Sequence, residues 1–518
     1  MKLLTNRQMK DIEYIAIEKK GVPSILLMEH AAMAVTKECL KENPTNVLIF
    51  AGKGNNGGDG LAVARQLLCY ENINTAVVFI GDPSAATKDC AANLAALKAY
   101  DADIIYIDSK DDLEGLERII NASDVVIDAI VGTGLHTKLH EMVQMLVKVI
   151  NEKANYIISV DCPSGVNTNT GEDYGTAVYA DKTVTFHLPK VGLMLYPAFE
   201  HVGELVIGSI SIPVDTTYEP NCYYTLTDKE AAALIPARGR RTHKGTFGKA
   251  MLVAGCDLMA GAALIACTAA YRTGCGLVRA CVNPYVATVI HNGIPEAVTT
   301  ILPDKDGKLY GGSFKAIEDS MNEMSVIAAG CGLGNTKEIY DLIAKIAENT
   351  EVPLILDGDA LNVLEGKTDI LRKLKAPCII TPHLKEMARL TGLDAEYIAD
   401  ELVAVAGSFA KEFNVITVLK DAHTIIALPN GDIYINTTGS NAMSKGGSGD
   451  CLTGAIAGLI AQGVSPENAA LLACYICGKA GEKASEGLGD YGVLARDTAN
   501  NIPLVINELV NDIRIPQK

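Results

Sequence analysis

The chain of 518 residues is 48% hydrophobic and 21% charged, an ordinary globular balance that excludes a disordered chain. With 62 acidic against 45 basic side chains its net charge is -17, which excludes binding through a nucleic-acid backbone, because phosphate contacts need a dense basic footprint. The length exceeds the roughly 250 to 300 residues at which one hydrophobic core stops growing, so two domains are expected.

The opening MKLLTNRQMKDIEYIAIEKK carries charges where a signal peptide needs an apolar core. No uncharged run reaches the ~20 residues that span a bilayer. A cytoplasmic protein with no membrane partner is therefore expected. Fourteen cysteines are scattered through apolar stretches and read as reduced, buried thiols. The one C-x-x-C, Cys474 to Cys477, sits in an apolar helix-like run with no second Cys/His pair nearby, which favours core packing over a metal site.

In chain order, residues 7–42 read as helix, and 46–52 (NVLIFAG) as a buried strand running into the glycine loop AGKGNNGGDG at 51–60. Strand patterns recur at 75–80, 103–107, 124–130 and 156–161, separated by helix-length segments, an alternation that predicts a parallel sheet covered on both faces. In such sheets ligands bind beyond the carboxyl ends of the strands. The polar signals fall there: Asn55, Asn56 and Asp59 after one strand, Asp128 and the GTG turn at 132–134 after another, and Asp161 opening DCPSG after a third. After SISIPVDTTYEPNCYYTL the strand pattern stops, and the polar stretch RGRRTHKGTFGK precedes a fresh strand, which puts a domain boundary near 215–240. The α/β theme returns in VIAAGCGLGN, PLILDGDALN, PCIITPHLKEMARL, VITVLKDAHTIIA and GGSGDCLTGAIAGLIAQG.

GGSGD at 446–450 opens an apolar helix at 451–462, whose free N–H groups and dipole make an anion cradle. Asp450 beside that cradle either takes a proton from a hydroxyl attacking a phosphoryl group or simply caps the helix. Asp128 alone reads equally as a ligand or a structural strand-end Asp, and a lone His after a strand, such as His383, is more often a satisfied polar group.

The pieces THKGTFGKAMLVAG, GCGLG, LDGDALN, TPHLKEM, LKDAHT and GGSGD, in this order from Arg238 onward, resemble the ribokinase-like carbohydrate-kinase-related family in its NAD(P)H-hydrate dehydratase branch. AGKGNNGGDG, DAIVGTG and DCPSG resemble the YjeF N-terminal domain, the NAD(P)H-hydrate epimerase. Together the halves resemble the fused microbial NAD(P)H-hydrate repair enzymes. The resemblance implies an α/β chain with a Rossmann-like three-layer domain over 1–215 and a ribokinase-like α/β/α domain over 225–518.

In the first half it implies that Asn55, Asn56, Gly57, Gly58 and Asp59 contact the hydrated nucleotide, with Gly132, Thr133, Gly134, Leu135, His136, Thr137 and Lys138 as a second contact. Asn56, Asp128 and Ser164 would hold K⁺, and Asp161 would bind substrate and do acid/base work at C6 of the ring, where a labile carbon–oxygen bond opens and reforms. In the second half Lys420, Asp421, Ala422, His423, Thr424 and Gly449 would hold the adenine nucleotide, while Ala262, Gly332 or Gly334, His383 and Asp450 would contact the hydrate, with Asp450 as base.

The implied reaction equilibrates the R and S hydrates of NADH and NADPH and dehydrates the S form with ADP as co-substrate and Mg²⁺. Two positions depart from the family pattern: Lys385 and Asp421 stand where glycine is usual, which puts the local backbone and the nucleotide charge balance in question. Small-residue helices and an apolar surplus point to self-association. The competing reading is a vitamin kinase of the hydroxyethylthiazole type behind a non-catalytic nucleotide-binding first half.

Overall fold

The computed structural model describes residues 1–213 and 222–514; position 215, the expected end of the first domain, and residues 515–518 lie outside the described residues. The chain divides into two compact units, Lys2–Pro220 and, with Met1, Asn221–Lys518.

The first unit is built on strands β1 (Asn46–Ala51), β2 (Asn74–Ile80), β3 (Asp103–Ile107), β4 (Val125–Ala129), β5 (Ile157–Val160), β6 (Lys182–Phe186) and β7 (Glu204–Gly208), in the order β3-β2-β1-β4-β5-β6-β7. All pair in parallel. Successive side chains of a strand point to opposite faces, so Val47, Ile49 and Ala51 enter one core while Leu48 and Phe50 enter the other. This is why VLIFA is apolar without alternation. Strand order reverses between β1 and β4, and the crevice at their carboxyl ends is the natural ligand position.

The single helix expected over 7–42 is instead two. Helix α1 (Asn6–Tyr14) passes through a π-turn at Ile15–Lys19, and α2 (Ser24–Lys41) follows. Gly21 takes a left-handed φ of 74, and Pro23 lacks the N–H an uninterrupted helix requires. Strands β6 and β7 carry no counterpart among the sequence expectations. Helix α3 (Asn55–Leu67) follows β1.

The second unit holds β8 (Tyr223–Tyr224), β9 (Lys249–Val253), β10 (Leu277–Val282), β11 (Val298–Ile301), β12 (Val326–Ala329), β13 (Leu354–Leu356), β14 (Cys378–Ile380), β15 (Ile416–Leu419), β16 (Thr424–Ala427) and β17 (Ile433–Asn436). They lie in the order β8-β17-β16-β15-β14-β13-β12-β9-β10-β11. Strands β9 to β15 pair in parallel and β15-β16-β17 antiparallel. Order reverses between β9 and β12. Helices α4 (Ala260–Thr273), α5 (Leu384–Thr391), α6 (Ser448–Ala461) and α7 (Pro466–Leu488) follow. Helices α4, α6 and α7 are packed through small residues, with Ala263, Ala266, Ala270, Ala455 and Ala473 at 0% exposure.

All fourteen cysteines are free thiols, and only Cys69 is exposed. No helix among the described residues is long and apolar enough to cross a membrane.

Candidate active sites

In the first unit β1 ends at the start of α3. A Cβ at Gly57 would collide with the carbonyl oxygen of Gly52, so the helix closes onto the strand end only with glycine there. Gly57 and Gly58 are buried, Asn56 and Asp59 half-buried and Asn55 exposed. A Cβ on Gly132 would lie 3.0 Å from Cγ of Asn56, so the two glycine stretches meet as expected from the strand order. Beyond Gly132, Thr133 and Leu135 are half-buried, while Gly134, His136, Thr137 and Lys138 are exposed at the far end of the loop. Among the described residues the last three make no hydrogen bond to the rest of the site. Thr133 is fixed from α1, where the amide of Asn6 donates to its carbonyl oxygen at 2.7 Å.

Asp128 is wholly buried. Its Oδ2 accepts from Ser159 Oγ and from the Ser164 backbone, both at 2.8 Å, and its Oδ1 from Ser164 Oγ at 2.5 Å. Burial pushes its carboxyl up, and the Ser164 and Ser159 hydrogen bonds oppose that. Asn56 Nδ2 is buried without a partner, so nothing pins its amide, which is free to present Oδ1 instead.

Asp161 follows β5 with a φ of 64. Its Oδ1 accepts from Thr185 Oγ1 and from the Phe186 backbone, both at 3.1 Å, and from Lys190 Nζ. Burial pushes Asp59 well above the ordinary carboxyl range, and the neighbouring Asp161 and Glu13 push it further. Glu13 is raised by burial and then by Asp161. Asp59, Asp161, Glu13 and Lys190 thus form one charged cluster. Glu13, Thr185 and Lys190 escape a sequence reading that stops at the glycine loops; the signal for Thr185 and Lys190 was the unrecognised strand β6 followed by a lysine, whereas Glu13 lies in α1.

In the second unit Gly447, left-handed at a φ of 98, leads into α6 and Asp450 lies in that helix's first turn. A Cβ on Gly447 would stand 3.9 Å from Asp450 Oδ2. Burial and then the Asp357 carboxylate push Asp450 up to about 6. Asp357, at the end of β13, behaves oppositely: burial raises it, but the Lys420 ammonium and Thr381 outweigh that and hold it below its ordinary value. Lys420 Nζ donates to Asp357 Oδ1 at 2.9 Å and Thr381 Oγ1 to the same oxygen at 2.6 Å. Two carboxylates side by side with opposite shifts are an acid/base arrangement. Cys331 Sγ joins them, with all three ligand atoms within 4.8 Å of one another.

A cavity of about 560 Å³ opens beside this cluster. Lys420, Asp421, Ala422, Thr424, Gly449 and His383 line it, and buried His423 does not. The C-x-x-C pair is both core and wall: Cys474 and Cys477 are buried yet border the cavity. Ala262 and Gly332 touch, since a Cβ on Gly332, at a φ of 65, would be 2.9 Å from that of Ala262. Gly334 N donates to Asp359 Oδ2 at 2.7 Å. His383 caps α5, its Nδ1 accepting from Glu386 N at 3.2 Å.

The departures from glycine strain nothing: Lys385 lies exposed in the first turn of α5 and Asp421 in an exposed turn, neither with a left-handed backbone. A second cleft, of about 880 Å³, runs along α4 from Gly261 to Gly446 and is lined by Arg272 and Arg496.

The fold and its two strand-end sites define a two-domain α/β enzyme, whose second unit sets Asp450 in the first turn of a helix beside Asp357 and Cys331. Residues 24–192 match the family described as YjeF-related protein N-terminus, and residues 250–504 the family described as NAD(P)H-hydrate dehydratase. The chain is 34% identical to the bifunctional NAD(P)H-hydrate repair enzyme Nnr of Moorella thermoacetica over 99% of this chain and 98% of that protein. It is equally 34% identical to that of Thermofilum pendens, over 99% and 97%. Among solved structures, the ADP/ATP-dependent NAD(P)H-hydrate dehydratase of Bacillus subtilis, co-crystallised with ATP/Mg²⁺, is 31% identical, covering 55% of this chain and 98% of that one at a TM-score of 0.49. The chain belongs to the family of bifunctional NAD(P)H-hydrate repair enzymes.

Proposed function

We propose that the first unit interconverts the R and S forms of hydrated NADH and NADPH, and that the second dehydrates the S form with ADP, giving AMP and phosphate. What carries this reading is Asp450, raised to about 6 by burial and Asp357, at the helix start bordering the Lys420 cavity. A base poised near the working pH removes a hydroxyl proton efficiently. Asp450 takes the proton of the C6 hydroxyl, whose oxygen attacks the terminal phosphorus of the nucleotide. Phosphate then leaves C6 with its bonding pair as a proton leaves C5, restoring the ring double bond. Hydroxide, a poor leaving group, is thereby exchanged for phosphate.

The α6 N–H groups and Lys420 bind the nucleotide's phosphates, and Ala262, Gly332 and His383 face the hydrate. The rest of the dinucleotide lies in the cleft that reaches Gly446, where Arg272 and Arg496 meet its phosphates. A carboxylate fits a hard divalent ion and a thiol does not, so Asp357 would hold Mg²⁺, which would supply charge neutralisation for the transferring phosphoryl group and leave Asp450 free as the base. The oxygens of Asn56, Asp128 and Ser164 fit K⁺ equally as a hard set, and would order the loops around Asp161. The deciding assay supplies mixed hydrate epimers with ADP, then ATP, and follows reduced-nicotinamide absorbance. Absence of recovery with both nucleotides rejects the dehydratase, and a stall with the R form left rejects the epimerase.

A further inference from the structure

Lys190 is fully buried, at 0% exposure, and its ammonium is saturated from within the protein. It donates to Asp161 Oδ1, to Thr185 Oγ1 at 2.9 Å and to the Phe186 carbonyl at 3.2 Å. An ammonium has three hydrogens, so none is left for a ligand. The register explains the arrangement: β5 and β6 pair Ser159 with Thr183, and two residues further Asp161 meets Thr185, whose hydroxyl donates to Oδ1 at 3.1 Å.

Asp161 is consequently lopsided. Oδ1 takes three donors, whereas Oδ2 takes none among the described residues, and the side chain keeps 14% exposure. A buried ion pair is weak evidence for stability, because desolvation offsets the attraction. One that saturates a single oxygen beside a ligand loop is a way of aiming the other.

We propose that Lys190 and Thr185 are positioning residues of the epimerase: they clamp Asp161 by Oδ1, so that Oδ2 alone exchanges the proton at C6. This rests on the reading of Asp161 as the acid/base group. With three donors on Oδ1 and Oδ2 left open, the step assigned to Asp161 is acceptance of the C6 hydroxyl proton at Oδ2, not delivery of a proton to a departing hydroxyl. The C6–O bond becomes a carbonyl as C6–N1 breaks, and the bonding pair passes to N1, delocalised through the C2–C3 double bond into the carboxamide. Rotation about C5–C6 turns the other face to N1, the C6–N1 bond reforms, and Oδ2 returns its proton to the oxygen. Nothing is oxidised or reduced, and no water enters.

The test uses the full chain without nucleotide, measuring chromatographic interconversion of purified hydrate epimers above the spontaneous rate. Lys190→Met is expected to lose ~100-fold or more in kcat with KM within about threefold. Thr185→Val is expected to lose about tenfold while Thr185→Ser, which restores the donor, recovers most of it. A folded Lys190→Met with unchanged kcat overturns the proposal, as does a Thr185→Ser no better than Thr185→Val; the threonine pair decides if Lys190→Met does not fold. Asp161→Asn with full activity would instead remove the underlying reading. Substrate labelled with ¹⁸O at C6 should keep its label through epimerisation, and loss at the epimerisation rate overturns the ring-opening step.

Discussion

Lys420 and Asp357 are joined across 2.9 Å, and Gly449 keeps the space beside that pair open, since a Cβ there would stand 3.2 Å from Nζ and 3.6 Å from Oδ2. The pair divides labour between two neighbouring carboxylates. Asp357, held by the lysine, stays ionised, and its charge helps to raise Asp450 into the range where a base works near neutrality.

Replacing Asp450 by Asn should lower dehydration by about 10²- to 10⁴-fold, the usual worth of a positioned base, while nucleotide binding by calorimetry stays intact. The same change should stabilise the fold. A carboxyl raised to about 6 is costly to keep ionised in the folded state, by at most about 3 kcal/mol. That cost is fully present at pH 7 and fades as pH falls through 6. A melting temperature unchanged at pH 7 would contradict it.

Dehydratase kcat/KM should rise with unit slope below about pH 6 and level off above it, because the base must be ionised and Asp450 is pushed up to about 6. Removing the ammonium in Lys420→Met takes away a lowering influence on both carboxylates. The acid limb then moves to higher pH, and a limb that stays in place rejects this account.

Gly449→Ala should fold, since alanine favours a helix by roughly 1 kcal/mol over glycine. Its methyl group forces the flexible end of Lys420 aside, and nucleotide affinity should drop about tenfold. Calorimetry giving wild-type affinity would show that this space is not used.

Asp421 lines the cavity beside Lys420 and Lys385 does not. Asp421→Gly should therefore tighten ADP binding about two- to fivefold by removing a like charge, with affinity unchanged if repulsion is negligible. Lys385→Gly should leave affinity alone and cost about 0.5–1 kcal/mol in stability, as a glycine in a helix does.

The double change Arg272→Ala, Arg496→Ala should raise KM for the hydrate about tenfold and leave kcat within about threefold, the pattern of lost uniform binding. An unaltered KM would place the dinucleotide elsewhere.

The parallel strands were legible because buried strands are continuous apolar runs, and the glycine loops because a helix start packed on a strand end leaves no room at Gly57. The long first helix was misread, since an apolar period of 3.6 continues through Gly21 and Pro23 without recording the break. Lys190 and Asp357 were missed for one shared reason. Each matters through a partner at another strand end, Asp161 on the adjacent strand for Lys190 and Lys420 on the next strand but one for Asp357, and a linear string does not give the order of strands in the sheet. His423, by contrast, was expected at the nucleotide through its place in LKDAHT, yet alternation along the chain turns it inward while Ala422 and Thr424 line the cavity.

The left-handed backbone of Asp161 limits what a mutational scan can say about it. Aspartate and asparagine tolerate that conformation, whereas most side chains there carry a penalty of about 1–2 kcal/mol. An alanine at this position deletes the carboxylate and strains the turn joining β5 to the loop below it, so its inactivity reports two losses at once. Asparagine is the cleaner probe, and an alanine scan taken alone would overstate the chemical share of Asp161.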